Sequence, residues 1–354
     1  MHITLITSLL VLLLSVTSTL AQTLPITGKK FVNYEPIDRA MQEFMIRIGA
    51  QAGSVALSKD GKLLFSQGYG WSDKAKLKPT QPDALFRIAS VSKPITAAAI
   101  KNAIRAGELS YDTKAIEFIG IKPLDNHEIA DPRILTITVR QLLSHRGGWD
   151  RDKSFDPVFE YRRVERELHL ARAAGPRDVI QFMLMQQLQF TPGERSAYSN
   201  FGYIVLGRVL EKAMKKPFGE CLEESIFKPL KITDIKLGHS SSNKRDPREV
   251  WYPVGDYALS MEVMDANGGM IASAPALCQF LEAYWIGGDP RKPGQRGNWT
   301  FFGSMPGTTS MARQRNDGYN IAVLLNNRRN NQSGEDDDVL KKAMDKAIDA
   351  VKGK

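Results

Sequence analysis

One stretch constrains this chain more than any other: Phe86-Arg87-Ile88-Ala89-Ser90-Val91-Ser92-Lys93-Pro94. A strand-like run ends near Ile88 and a helical run starts at Ser90, so extended chain must turn into helix within a residue or two. Ser90 and Lys93 are three apart, which puts both on one face of a helix N-terminus. A serine hydroxyl is a weak nucleophile. A nearby amine can take its proton, and the free N–H groups and positive dipole end of a helix favour the negative charge that results. The spacing alone is not specific, because Ser225/Lys228 and Ser241/Lys244 repeat it. A capping serine followed by a solvated lysine explains each pair as well.

The length of 354 residues, a quarter of them charged, suits one large domain or two interleaved ones. The net charge of +9 is scattered along the chain and accompanies no nucleic-acid motif. It is compatible with attraction to an anionic envelope polymer and equally with solubility. Met1 to Ala21 reads as an export signal, with an apolar Ile3–Val16 run and cleavage expected between Ala21 and Gln22. No cysteine follows the run to carry a lipid, and an uncleaved anchor is the alternative. The expected location is therefore periplasmic or extracellular, with no stable membrane insertion after cleavage. Cys221 and Cys278 lie in helix-like, partly apolar contexts and read as buried free thiols, although an oxidising compartment would permit a disulfide. Neither cysteine has metal-ligand spacing and the five histidines form no His-x-x-x-His pair, so no metal site is expected. Gly-x-Ser-x-Gly is absent.

Taken in order, residues 36–48 carry apolar side chains at helical spacing and end at Gly49. Residues 54–58 and 63–68 read as strands joined through Lys59-Asp60-Gly61-Lys62, a hairpin signal. Helical runs follow at 90–105, 138–145, 176–188, 201–214 and 221–230. His145 could tempt a Ser-His pairing, but a helix-terminal structural histidine is the simpler reading. The charged stretch 150–175 reads as a solvated helix or an excursion that walls a pocket. The Gly-rich Asp265–Ile271 segment lacks the strand-to-helix context of a phosphate loop. A helix at 275–284, strands at 299–302, 308–314 and 319–326, and an amphipathic helix at 335–351 close the chain. Strands at both ends with helices between predict an α+β fold, a three-layer α/β/α sandwich. Its antiparallel sheet is built from residues 22–86 and 262–354, and a mainly helical insertion spans 87–261.

Tyr198-Ser199-Asn200 sits on a short link before a helix. A tyrosine brought near Lys93 would have its pKa lowered by that charge and could act as base or acid. Asn200 could hold a substrate amide or the lysine. A half-buried aromatic with its hydroxyl bonded is the competing reading of Tyr198.

Taken together, several ordered segments resemble the class C β-lactamase and D-Ala-D-Ala carboxypeptidase family of serine hydrolases, which also includes carboxylesterases. They are FRIASVSKPITAAAI (86–100), TVRQLLSHRGGW (138–149), PGERSAYSNFGYIVLGRVLE (192–211) and GGMIASAPALCQFL (268–281), with SVALSKDGKLLFSQGYGWSD (54–73) similar to the family's N-terminal hairpin. The resemblance covers roughly residues 36–350. It implies a β-lactamase/transpeptidase-like fold with the site between sheet and helical part. It also implies Ser90 as acylated nucleophile, Lys93 as its base partner, Tyr198 as general acid/base and Asn200 as substrate-orienting amide. No metal or cofactor is needed, and a monomer is expected.

The family's third motif, Lys-Thr-Gly or His-x-Gly on the strand beside the serine, departs here. The matching stretch is Trp299-Thr300-Phe301-Phe302-Gly303-Ser304, with Phe301 in place of the cation and Phe302 in place of the hydroxyl. Lys292-Pro293-Gly294 lies in a loop and its proline would spoil a strand. Gly303 keeps the backbone approachable, so an oxyanion hole from the N–H groups of Ser90 and Ser304 is expected to survive. Carboxylate recognition is not, because phenylalanine cannot pair with a carboxylate. An esterase or amidase acting on a small ester or amide follows. The alternatives are a cell-wall peptide carboxypeptidase or β-lactamase in which an arginine, such as one from the 291–296 loop, replaces the missing cation, and a non-catalytic binding protein that kept the fold.

Overall fold

The computed structural model describes residues 24–352 except 32, 125–126, 257 and 330–332. The expected export signal lies outside the described residues.

The N-terminal strands β1 (Ile26–Thr27), β2 (Ala52–Lys59) and β3 (Lys62–Gly70) form the first half of a sheet. The β2–β3 hairpin turns through Asp60 (φ 51°) and Gly61 (φ 77°). Two consecutive left-handed residues match the right-handed twist of a hairpin, and Asp-Gly is a sequence that adopts them at low cost. After two short strands, β4 (Phe86–Arg87) and β5 (Ile235–Leu237), come β6 (Met270–Ala272), β7 (Trp299–Met305), β8 (Thr308–Gln314) and β9 (Tyr319–Leu325). The main sheet has the antiparallel order β1-β3-β2-β9-β8-β7. The chain's two ends meet where β2 pairs with β9, Val55 opposite Val323.

Helices α1 (Glu35–Ile48), α2 (Ser92–Arg105), α3 (Ala115–Ile119), α4 (Val139–Leu143), α5 (Tyr161–Glu167), α6 (Pro176–Leu184), α7 (Asn200–Met214), α8 (Phe218–Leu222), α9 (Lys228–Leu230), α10 (Ala274–Ala283) and α11 (Ser333–Lys352) complete the described residues. α1 and α11 cover one face of the sheet, burying Met41, Phe44 and Met45 with Leu340, Met344 and Ile348 against Val55, Met311 and Val323. The other face carries α10 and continues into the helical part, α2 included, as one larger core. Period-two alternation explains the division: Val55 and Leu57 of β2 point to one core, Ala52 and Ala56 to the other.

Several expectations need adjusting. The α-helix begins at Ser92, and Ser90 sits in a single 3₁₀ turn, Ala89–Val91, ahead of it. The strand expected at 299–302 runs on to Met305. The run 221–230 is helical as expected, but a π turn at Glu223–Phe227 interrupts the α geometry between α8 and α9. The long excursion 150–175 holds only the short α5. A second sheet, β4-β6-β5, was not foreseen, because two- and three-residue strands are too short to show a period. Cys221 and Cys278 are both buried free thiols, as read.

Candidate active site

Ser90 is positioned by the small sheet. Arg87 of β4 pairs with Ile271 of β6, and the Ile88 N–H donates to Met270 O at 3.0 Å. Ala89 then takes φ +47°, a left-handed conformation that costs a non-glycine residue of order 1–3 kcal/mol. The surroundings hold it there. Ile88 O accepts from Val91 N at 3.0 Å and from Ser310 Oγ of β8 at 2.7 Å. Strand β7 closes on the same turn at Gly303. A Cβ at that position would lie 2.1 Å from Ile88 O and 2.2 Å from Ser310 Oγ, so only glycine lets the strand lie this close.

Lys93, one turn into the helix, is 1% exposed. Its Nζ donates to Ser90 Oγ at 3.2 Å, to Asn200 Oδ1 at 2.7 Å and to Asn267 O at 2.7 Å. It also lies 4.9 Å from the Tyr198 ring centre and 5.6 Å from that of Tyr203. Burial pushes the Lys93 ammonium down to about 7, opposed by the charge of Asp156 and assisted by that of Arg151. The lysine is therefore partly neutral near pH 7 and can accept a proton.

Tyr198 OH donates to Ser90 Oγ at 2.8 Å. The expectation that its phenol would be acidified is corrected. Burial raises the Tyr198 pKa and outweighs the lowering by the Ser90 hydrogen bond and by Arg151. The phenol is protonated at neutral pH and suits an acid better than a base. Asn200 stands at the first position of α7 because Ser199 caps that helix, its Oγ accepting from Gly202 N. With Oδ1 on Lys93 and Nδ2 donating to Asp156 Oδ2 at 2.6 Å, its amide holds the lysine, the second of the two roles read for it.

His145 sits just past α4, whose start is a Thr138/Gln141 capping box. It is stacked on Tyr198 with ring centres 4.6 Å apart, and its Nδ1 accepts from Ser199 N at 3.2 Å. Burial, then the Lys93 charge, push it down to about 4, so it is neutral and aligns the Tyr198 link without pairing with Ser90.

These side chains open into a cleft of about 560 Å³. One wall carries Ser90, Tyr198 and Asn200 with Arg151 and Phe159 from the 150–175 excursion, which does wall the pocket. Asn267 and Gly268 form the floor, and Phe301, Phe302 and Ser304 of β7 form the facing wall. Phe301 packs towards the larger core and Phe302 towards the α1/α11 side, as alternation along a strand requires. No arginine of the 291–296 loop lines the cleft. Arg291 donates to Leu281 O at 3.0 Å and Asn320 Oδ1 at 2.7 Å, and Arg296 pairs with Asp60 at 2.8 Å. The cations that do line it are Arg151, paired with Asp156 at 3.4 Å, and Arg328, paired with Asp337 at 3.2 Å. The repeated Ser-x-x-Lys pairs lie elsewhere: Ser225 Oγ donates to Cys221 O, and Ser241 Oγ bonds Asn243.

Sequence reasoning missed Asp156, the Asn267 carbonyl and the placement of His145. The Gly-rich signal around Asn267 was visible, but what it supplies is a backbone oxygen. Gly269 lets the loop fold back, since a Cβ there would lie 2.4 Å from Met261 O. Among the described residues, no group of His, Cys, Asp and Glu could hold a metal ion, and no helix is long and apolar enough to cross a membrane.

The Beta-lactamase family model matches residues 37–342. This chain belongs to the beta-lactamase family. It is 33% identical over 236 residues to the probable fimbrial assembly protein FimD, serogroup H1, of Dichelobacter nodosus, which covers 65% of this chain and 56% of that one. The chain thus spans about half the length of that curated relative. It is 28% identical over 315 residues to esterase EstB of Burkholderia gladioli, covering 73% of this chain and 75% of the esterase. Among solved structures, the D-amino acid amidase from Ochrobactrum anthropi SV3 complexed with L-phenylalanine shares the fold. Its TM-score is 0.69 at 21% identity, over 91% of this chain and 98% of the amidase. The β-lactamase/transpeptidase-like fold is thereby established, in a family whose relatives include an esterase.

Proposed function

We propose that this chain is an exported serine hydrolase that forms an acyl-enzyme on Ser90 and acts on uncharged esters or amides. The observation that carries the reading is the pairing of a buried, partly neutral Lys93 and a protonated Tyr198 on one hydroxyl, at 3.2 and 2.8 Å. Lys93 takes the Ser90 proton as Oγ attacks the carbonyl carbon. The N–H groups of Ser90 and Ser304 receive the oxyanion. Tyr198 gives its proton to the leaving oxygen or nitrogen, and the proton on Lys93 restores the phenol. Water then attacks the ester in the reverse sense and frees Ser90. No cofactor enters any step.

Phe301 and Phe302 support the choice of substrate. A lost charge-assisted contact costs about 1.5–3 kcal/mol, roughly a factor of 10 to 150 against carboxylate-bearing peptides and β-lactams. The likeness to an esterase and to an amidase fold is in keeping with this. Arg151 and Arg328 favour a second reading, a carboxypeptidase or β-lactamase with an anionic substrate, but each already faces a carboxylate. Parallel hydrolysis of p-nitrophenyl butyrate and a cephalosporin separates the two. The ester is expected to be turned over far faster, and equal rates would overturn the ranking.

A further inference from the structure

The 150–160 segment contributes more than a wall. Asp156 is anchored in its own turn, where Oδ1 accepts from Val158 N at 3.2 Å. Its Oδ2 accepts from Asn200 Nδ2 at 2.6 Å and from Arg151 Nη1 at 3.4 Å. Its side chain is 11% exposed and that of Arg151 40%, so the Asn200 contact is shielded while the ion pair is partly screened by solvent. Arg151 lies with its guanidinium 4.9 Å over the Tyr198 ring. One ion pair therefore touches both halves of the acid–base machinery, Asp156 through Asn200 to Lys93 and Arg151 through the face of Tyr198.

We propose that Arg151 and Asp156 are positioning residues for the Ser90 acylation step, a coupled charge pair that fixes the orientation of Asn200 and sets the protonation balance of Lys93. The inference rests on the acyl-enzyme reading above. Its first part follows from donor chemistry. A carboxylate cannot donate, so Asn200 must turn its NH₂ to Asp156, which leaves only Oδ1 for Lys93. Without the carboxylate, the amide is free to flip and to offer a donor to the lysine. Its second part is electrostatic. The titratable or charged groups facing Lys93 are Asp156 and Arg151 from the excursion, Tyr198 and Tyr203 from the α7 region, and His145 behind Tyr198. Burial pushes the Tyr203 phenol up and His145 down to about 4, so neither changes charge near neutrality. Asp265, next to the loop carbonyl that holds Lys93, is committed to Arg208 at 2.5 Å. That leaves one negative and one positive neighbour of opposite effect, Asp156 raising the lysine and Arg151 lowering it.

The test is the rate of covalent labelling of Ser90 by a fluorophosphonate across pH 5 to 10, read by intact-protein mass, with thermal melting recorded for every variant. In the wild type the rate should rise with pH through a midpoint set by Lys93. Asp156→Asn keeps an acceptor oxygen for Asn200 but removes the charge, and should move the midpoint down by roughly half a unit or more. Arg151→Met should move it up by a similar amount, and the double variant should return it towards wild type. Asp156→Leu removes the acceptor as well and should slow labelling about tenfold or more beyond Asp156→Asn. A merely structural role would slow labelling without opposite shifts. If wild-type Ser90 labels but both single variants, folded, keep its midpoint or move it the same way, the inference fails while the acyl-enzyme reading stands. If the wild type does not label at all, both fall.

Discussion

The two walls of the cleft are built on opposite principles. On the helical wall, Tyr198, Ser90, Lys93, Asn200 and Asp156 form one continuous chain of hydrogen bonds from 2.6 to 3.2 Å. On the strand wall, β7 offers the Phe301 ring, a bare glycine and a backbone, with Phe302 turned towards the α1/α11 side. In the proposed reading the first wall is the acid–base device, its side chains held in place by these hydrogen bonds. The second sets little beyond a close approach and an apolar surface. Chemistry and recognition are therefore separable here, and substitutions on the two sides should fail differently.

The largest effect is expected at the helical wall. Lys93→Met should slow Ser90 acylation by on the order of 10³–10⁴, measured as ester turnover, because it removes the proton acceptor. It should also make the protein more stable. The folded pKa of Lys93, about 7, lies below its ordinary 10.5, so the wild type gains stability as pH rises from about 7 to 10.5 and carries its full penalty below 7. Melting curves should show the variant's advantage greatest at or below pH 7 and fading towards pH 10.5. An advantage independent of pH would mean that the buried lysine is not titrating as described.

At the junction of the walls, Gly303→Ala should cost roughly 10²–10³ in turnover with smaller change in KM. The added methyl would collide with Ile88 O and Ser310 Oγ, pushing β7 from the Ser90 turn. Full activity in this variant would show that the strand backbone takes no part in stabilising the oxyanion. On the strand wall itself the sign should reverse. Phe301→Lys should gain roughly 10- to 150-fold in penicillin acylation, measured as the second-order rate of adduct formation. No gain, or a loss of ester turnover as severe as that of Lys93→Met, would break the separation of the walls. The smallest effect is expected at His145→Gln. This change keeps an acceptor for Ser199 N but loses the stack on Tyr198, and should cost about tenfold or less in turnover.

The same division explains what could be read from residues alone. The motifs on the helical wall were legible because acylation needs specific residue types at fixed spacings: Ser90 and Lys93 one turn apart, Tyr198 and Asn200 flanking a capping serine. The main sheet was legible because β2, β3, β8 and β9 are long enough to show hairpin turns and burial. Asp156 was not, because its role depends on a 44-residue separation from Asn200 that no local period records. Nor was the cationic content of the cleft. Arg151 and Arg328 come from an irregular excursion and from the chain just past β9, whereas the 291–296 loop turns its arginines elsewhere. The direction of the Tyr198 shift was misjudged because nearby charge was weighed and burial was not.

The most direct measurement is intact-protein mass spectrometry of wild type and Ser90→Ala after incubation with p-nitrophenyl butyrate, a fluorophosphonate and a penicillin. An adduct with the ester-type reagents that disappears in Ser90→Ala, with little or none from penicillin, is the expected result. A penicillin adduct formed as readily as the others would contradict the recognition half, and no adduct on folded wild-type protein would leave a binding protein in place of an enzyme.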